Sequence, residues 1–270
     1  MSAMPSAGGA PASRFVDLDW NGRALRLDTQ WVGAPRGAAV PEVVFLHEGL
    51  GSISMWKDFP RAFCDAHGVA GFVFSRHGYG RSTPRPRDER WPVDFMARQA
   101  DEVLPRLFAA EGIARPWLFG HSDGGTIALL HAARHPAAGV IAVAPHLFVE
   151  DVSVASIAKT LAAFESGPLR DGLARHHADP ESAFRGWHDA WLAPAFRSWN
   201  IEREIETIAC PVLAVQGEDD EYGTLAQIRA IARRVPQTEL LVLPACGHSP
   251  HRDRPDALSR AAGRFIAAHR

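Results

Sequence analysis

The sequence contains little cysteine, little lysine and no long apolar run. Its three cysteines, Cys64, Cys210 and Cys246, are scattered and odd in number, so they predict neither a disulfide framework nor a paired metal site. Because no apolar run reaches about 18 residues, no transmembrane helix is expected. Positive charge is not in excess either, since 29 basic and 31 acidic residues give a net charge of −2. We therefore expect no membrane partner and no nucleic-acid partner, because such surfaces are usually basic.

The length of 270 residues allows one large domain or two small ones, and 46% of the residues are hydrophobic. Residues 1–13 have no charged segment followed by an apolar one, so they do not predict a signal peptide. Their glycine, alanine, serine and proline content predicts a disordered tail. Together with the scattered cysteines, this predicts a cytoplasmic protein.

Short apolar runs alternate with amphipathic stretches along most of the chain. An opening hairpin is predicted at 14–20 and 23–33, with Asn21-Gly22 as its turn. Further strands are expected at 43–46, 71–75, 116–120, 140–144, 211–215 and 239–243. Helical segments are expected at 55–66, 94–110, 123–135, 224–234 and 255–269. This alternation predicts an α/β fold with a mostly parallel eight-stranded sheet and helices on both faces.

The alternation stops between 146 and 200, a segment rich in phenylalanine and tryptophan that contains no short apolar strand. We interpret this segment as a helical lid inserted into a core made of residues 14–145 and 201–270. Phe184, Trp187 and Trp191 are spaced by three and four residues. At this spacing they either pack the lid internally or line a substrate pocket, and we name all three as candidate substrate-binding residues.

The strongest motif is Gly120-His121-Ser122-Asp123-Gly124, which lies where a predicted strand ends and a predicted helix begins. This is the context that the G-x-S-x-G nucleophile elbow requires. A serine on such a sharp turn needs a glycine on each side, and the following helix N-terminus favours negative charge beside it. Ser122 is therefore predicted to be a nucleophile.

A serine nucleophile needs a base, and the base needs an acid to orient it. His248 is the predicted base, because it follows the strand at 239–243 at the edge of the sheet where the functional groups of α/β proteins collect. His251 is the alternative base. Residues 218–221 supply four consecutive carboxylates after the strand at 211–215. One of these is expected to turn inward, which yields the chain order serine, aspartate, histidine of the elbow enzymes.

These motifs resemble the α/β-hydrolase superfamily over nearly the whole chain, from about 14 to 269. The resemblance implies that the acid falls three residues after the glycine that ends its strand, which selects Asp220, with Asp219 as the alternative. It also implies an oxyanion hole formed by the backbone N–H groups of Gly49 and Asp123. The segment from His47 to Trp56 resembles the family's oxyanion loop, although the family's usual His-Gly start of that loop is His47-Glu48 here. The glycine-rich turn at 76–82 resembles a structural turn of the family.

The Asp123 side chain allows two interpretations. It can hydrogen-bond to neighbouring backbone and face away from the site, which is the interpretation we favour. Alternatively it can hold a substrate ammonium, as the resemblance to valacyclovir-hydrolase-like enzymes that cleave α-amino acid esters implies.

The sequence therefore predicts a serine hydrolase that acts on a small or medium carboxylic ester, a lactone or a thioester through an acyl-enzyme. The alternatives are a C–C bond hydrolase of a ring-cleavage product, an α-amino acid ester hydrolase, and a catalytically silent binding module on the same fold. No cofactor is expected. No metal is expected either, because histidine, cysteine and acidic residues do not cluster at zinc spacing. The substrate's identity and the oligomeric state do not follow from the sequence.

Overall fold

A computed structural model describes residues 14–37 and 39–270 of the chain. The predicted disordered tail, residues 1–13, lies outside this described part. The strands are β1 (Arg14–Trp20), β2 (Arg23–Gly33), β3 (Glu42–Leu46), β4 (Ala70–Phe74), β5 (Trp117–His121), β6 (Gly139–Val143), β7 (Val212–Gly217) and β8 (Thr238–Leu243). They form one eight-stranded sheet in the order β1-β2-β4-β3-β5-β6-β7-β8.

The sheet is mostly parallel, as predicted. The pairs β1/β2 and β2/β4 are antiparallel, and every pair from β4 to β8 is parallel. The hairpin of β1 and β2 has the predicted bounds, and Asn21 and Gly22 both take positive φ values at its turn. Because parallel strands point the same way, the carboxyl ends of β3 to β8 all lie at one edge of the sheet.

Helices connect the strands and cover both faces. They are α1 (Phe59–His67), α2 (Phe95–Arg98), α3 (Leu104–Glu111), α4 (Asp123–Arg134), α5 (Asp151–Glu165), α6 (Pro168–Ala174), α7 (Pro180–Trp191), α8 (Ala226–Arg234), α9 (Pro250–Asp253) and α10 (Pro255–Ala268). Alternate residues of one strand point to opposite faces. Val44 of β3 accordingly packs in the core beneath α3, α4 and α8, whereas Val43 packs in the core beneath α1 and α10.

Three predicted helices match those observed to within two residues at each end, whereas two differ more, and a proline accounts for each of these larger differences. The segment predicted at 94–110 is divided into α2, a π-helical turn at Gln99–Val103, and α3. Pro105 has no N–H for the ladder and starts α3 instead. The segment predicted at 55–66 begins as a 3₁₀ turn at Ile53–Trp56, and regular helix starts at Phe59, next to Pro60.

Helices α5, α6 and α7 lie between β6 and β7 in the chain, and we call them the inserted helices. The ends of this segment are held together, because Phe148 and Asn200 form a β-bridge and the Ile201 N–H donates to the Leu147 carbonyl at 2.7 Å. None of the helices in the described part of the chain is long and apolar enough to cross a membrane.

Candidate active site

Ser122 lies at the sharp turn between β5 and α4. Its backbone has φ 53° and ψ −121°, a strained conformation for a residue with a side chain, and its N–H donates to Val143 O at 2.8 Å. Both flanking glycines are required by close backbone approach. A Cβ on Gly120 would lie 2.2 Å from Gly124 O, and one on Gly124 would lie 2.1 Å from Leu46 O. The motif therefore adopts the elbow geometry that the sequence predicted.

Asp220 and His248 form a hydrogen-bonded pair at the carboxyl edge of the sheet. His248 Nδ1 lies 2.8 Å from Asp220 Oδ1 and 3.0 Å from Oδ2. A carboxylate only accepts, so Nδ1 carries the hydrogen and Nε2 is the nitrogen left to act as a base. Asp220 also accepts from Gln216 Nε2 and from the N–H groups of Tyr222 and Gly223. Burial alone would raise the pKa of the Asp220 carboxyl, but its hydrogen bonds and the charge of His248 lower that pKa overall.

Neither the alternative acid nor the alternative base is positioned for the role considered for it. Asp219 is exposed, and its side chain makes no hydrogen bond to any residue that the structure describes; its backbone N–H donates to Cys246 O at 2.9 Å. His251 is buried among Trp56, Phe59 and His121, where burial lowers the pKa of its imidazole to about 3. Neither of its ring nitrogens has a hydrogen-bond partner in the described part of the chain.

A pocket of about 250 Å³ brings the predicted nucleophile and base together. Ser122, Asp123, Gly49 and His248 all line it, and Asp220 lies behind His248. Within the residues described, no hydrogen bond joins Ser122 Oγ to His248. Catalytic hydrogen bonds of this kind are often long before substrate binds.

The two residues predicted to supply the oxyanion donors, Gly49 and Asp123, both line this pocket. The Asp123 N–H belongs to the first turn of α4, whose N–H groups have no acceptor inside the helix. The Gly49 N–H makes no hydrogen bond within the described residues. A Cβ on Gly49 would lie 2.2 Å from Trp187 Nε1, so glycine is needed where the indole packs on this loop. Within residues 14–37 and 39–270, neither of these two backbone donors has an acceptor of its own.

The inserted helices supply part of the pocket wall, but not through all the aromatic residues that were predicted. Trp187 and Trp191 line the pocket, together with Ile157 of α5. Phe184 does not, which corrects the prediction that it binds substrate. Its ring is fully buried and stacks on Phe164 at a centroid distance of 3.9 Å, so it joins α7 to α5 instead.

A sequence model described as the alpha/beta hydrolase family matches residues 43–261. The chain belongs to this family. RutD of Caulobacter sp. (strain K31), named for carbamate hydrolysis, is 26% identical over 250 residues, covering 84% of this chain and 91% of its own. A pimeloyl-[acyl-carrier protein] methyl ester esterase of Xanthomonas campestris pv. campestris is 29% identical over 196 residues, covering 62% and 77%.

The fold of this alpha/beta hydrolase is shared with solved structures. The enol-lactonase of Burkholderia xenovorans superposes with a TM-score of 0.70 at 20% identity, covering 93% of this chain and all of that one. At that identity the likeness shows the fold alone.

The Asp123 side chain of the hydrolase does not make the local backbone contact that we favoured. It is 1% exposed, and Oδ1 accepts a hydrogen bond from Trp191 Nε1 at 3.2 Å. Oδ2 lies 3.9 Å from Arg76 Nη2, has almost no accessible surface and has no hydrogen-bond partner among the described residues. Burial raises the pKa of this carboxyl, while the Arg76 cation and the Trp191 hydrogen bond oppose that rise. The carboxyl group is thus enclosed between the elbow and α7.

Eight pocket residues of the hydrolase were not among the predicted site residues: Glu48, Leu50, His121, His146, Ile157, Glu221, Tyr222 and Ser249. Two of them left a signal in the sequence, Glu48 as the departure from His-Gly and Glu221 as a member of the carboxylate run at 218–221. Its Oε2 lies 3.5 Å from His121 Nδ1 and its Oε1 lies 3.6 Å from Arg252. Burial would raise the pKa of Glu48, yet the neighbouring His121 and His251 hold it well below its ordinary value. Glu48 therefore places a negative charge beside the candidate oxyanion loop.

A larger depression of about 660 Å³ lies at the opposite edge of the sheet, by the amino ends of β3 and β5. Its described lining includes Arg36, Arg115 and Arg270 and contains neither serine nor cysteine. Across residues 14–37 and 39–270, no group of three or more histidine, cysteine or acidic side chains is arranged to hold a metal ion. Of these two pockets, the smaller one contains the predicted nucleophile and the predicted base.

Proposed function

We propose that the protein is a serine hydrolase that cleaves small carboxylic esters through an acyl-enzyme. The observation that carries the proposal is the pocket that holds Ser122 on a strained, glycine-flanked elbow together with His248, whose Nδ1 is bound to the buried Asp220. This is the arrangement of nucleophile, base and orienting acid that acyl transfer requires.

In the proposed reaction, Ser122 Oγ attacks the ester carbonyl carbon while its proton passes to His248 Nε2. The carbonyl oxygen becomes an oxyanion that accepts hydrogen bonds from the N–H groups of Gly49 and Asp123. The C–O bond of the leaving group then breaks, and the alcohol leaves with the proton from His248. A water molecule next gives a proton to His248 and attacks the acyl carbon. The acid departs, and Ser122 recovers its proton.

Throughout this cycle, Asp220 would hold His248 in the tautomer with hydrogen on Nδ1 and stabilise the transient imidazolium. The pocket of about 250 Å³, with walls from Trp187, Trp191 and Ile157, favours short acyl groups. We further propose that the inserted helices act as a lid. The names of relatives assigned to methyl ester and carbamate hydrolysis are consistent with this class of substrate.

An α-amino acid ester is a less suitable substrate than a neutral ester. Its ammonium would have to reach Asp123, whose Oδ1 is occupied by Trp191 and whose Oδ2 is enclosed beside Arg76. An incoming cation would therefore have to displace the indole N–H and approach a guanidinium.

The test combines substrate profiling with covalent labelling. Wild type should hydrolyse p-nitrophenyl acetate and butyrate faster than the decanoate, and a fluorophosphonate should label one serine per chain. Ser122→Ala should abolish labelling and lower kcat by about 10⁴-fold or more while preserving the circular dichroism spectrum. An unlabelled wild type would favour the binding module, and turnover of a vinylogous diketone in place of esters would favour the C–C hydrolase.

A further inference from the structure

Arg76 is a buried cation behind the candidate oxyanion hole. It follows β4, at the start of the glycine-rich turn, and is 1% exposed. Its guanidinium lies 4.6 Å from the centre of the Tyr79 ring. An arginine taken out of water is costly unless its charge is compensated, so its partners indicate its role.

One nitrogen of Arg76 contacts both halves of the candidate oxyanion hole. Nη2 donates to the Glu48 carbonyl at 2.9 Å and lies 3.9 Å from Asp123 Oδ2. Glu48 precedes the donor Gly49, and Asp123 is itself the second donor. The guanidinium thus lies between two loops that come from distant parts of the chain.

The contact with Glu48 orients the Gly49 N–H. The Glu48 carbonyl and the Gly49 N–H belong to one planar peptide, so holding the oxygen determines the direction of the N–H. Besides Arg76, the oxygen accepts from the Gly51 N–H at 3.0 Å and from His47 Nδ1 at 2.7 Å. His47 Nδ1 carries the hydrogen because its Nε2 accepts the Arg76 backbone N–H at 2.9 Å. A carbonyl that accepts from a cation is polarised, which makes the N–H of the same peptide a stronger donor.

The contact between Arg76 and the Asp123 carboxylate is an attraction between opposite charges. An enclosed carboxylate next to the nucleophile would repel an oxyanion that forms beside it. The Arg76 cation at 3.9 Å opposes that field, and the indole N–H of Trp191 satisfies the other carboxylate oxygen.

We propose that Arg76 is a positioning residue of the oxyanion hole, which orients and polarises the Glu48–Gly49 peptide and offsets the negative charge of Asp123. The proposal rests on the proposed function. It assigns an electrostatic role to a turn that the family resemblance presents as structural.

The experiment compares Arg76→Met and Arg76→Lys with the control Arg85→Met. Arg85 is also buried and lies in the same segment, but its partners are the carbonyls of Pro86, Glu89 and Ser182. Rates are expressed per fluorophosphonate-labelled site, so that poorly folded protein does not count. Arg76→Met should lower kcat by about 10- to 100-fold, less than the loss of a direct oxyanion donor, while KM changes less than threefold. Arg76→Lys should fall between Arg76→Met and wild type, and Arg85→Met should stay within threefold of wild type.

Two further measurements separate this role from simple packing. Affinity for butaneboronic acid, which forms a tetrahedral anionic adduct on serine, should fall in parallel with kcat, whereas affinity for butyramide should not. Adding Asp123→Asn to Arg76→Met should recover part of the lost kcat, because the charge to be offset is then gone. If Arg76→Met does not fold, Arg76→Lys and the double variant decide by the same criteria.

The proposal is wrong if Arg76→Met keeps kcat, if Arg85→Met loses as much, if both ligands weaken equally, or if Asp123→Asn adds a further loss. Each of these results leaves the proposed function intact as long as Ser122→Ala stays inactive. An active Ser122→Ala would instead overturn the proposed function itself.

Discussion

Replacing Asp220 by asparagine should lower kcat/KM by about 10³-fold, although the hydrogen bonds around it can survive. The amide oxygen can take the place of Oδ1, where it still accepts from His248 Nδ1 and from two backbone N–H groups. The amide NH₂ then faces Gln216, whose Oε1 has no hydrogen-bond partner in the described part of the chain and can turn to accept from it. The substitution therefore removes mainly the charge.

The size of the effect follows from that charge. An imidazolium and a carboxylate about 4 Å apart, at an effective dielectric constant of about 20, attract by about 4 kcal/mol. Because about 1.4 kcal/mol corresponds to a tenfold change in rate, losing this attraction in the transition state costs about 10³-fold.

The assay is p-nitrophenyl acetate hydrolysis at pH 8, with Asp219→Asn as the matched control. Asp219 is exposed, so its variant should stay within threefold of wild type. Thermal melts should show that both variants fold. Equal losses in the two variants, or a larger loss for Asp219→Asn, would refute the assignment of the acid.

Three further predictions concern folding, pH and substrate choice. Gly124→Ala should lower the melting temperature by more than 10 °C, because the added Cβ would clash with the Leu46 carbonyl. The control Gly172→Ala should not lower it, because the Cβ added there would be in ordinary van der Waals contact. Stability should fall from pH 6.5 to pH 4, as measured by urea unfolding at pH 7 and pH 5. Burial holds the pKa of several histidines at about 4 or below; these are His77, His131, His146, His177 and His251. The unfolded chain therefore binds more protons than the folded chain in this window. The free energy of unfolding falls by up to about 1.4 kcal/mol per histidine for each pH unit. Equal stability at the two pH values would contradict this. Finally, kcat/KM for an alanine ester should not exceed that for the matching propionate ester; a tenfold preference for the alanine ester would show that Asp123 is open to an ammonium.

The central strands β3 to β7 were predictable because they are buried on both faces. In β3, Val43 and Val44 point to opposite faces and both are fully buried, so the strand appears in the sequence as a continuous apolar run. The elbow was predictable because Gly120 and Gly124 lie so close to backbone atoms that any side chain there would clash.

The parts of the site that were missed depend on contacts between distant segments. Helical spacing placed Phe184 and Trp187 in one helix, but the packing of α7 on α5 decides that Phe184 meets Phe164 and Trp187 meets the pocket. The partner of Asp123 is Trp191, 68 residues further along the chain. Arg76 meets the Glu48 carbonyl because β3 and β4 are parallel neighbours whose ends lie side by side.

The joined ends of the inserted helices have an evolutionary consequence. Since Leu147 and Ile201 are hydrogen-bonded to each other, the segment leaves the sheet and returns to it at almost the same point. Such a segment can lengthen, shorten or be exchanged without moving β6 or β7, which precede it and follow it. Ser122, Asp220 and His248 all lie outside it, whereas Ile157, Trp187 and Trp191 lie inside it. Under the proposed function, substrate preference in this architecture can therefore diverge by replacement of one contiguous stretch of gene, while the proposed reacting groups are inherited unchanged.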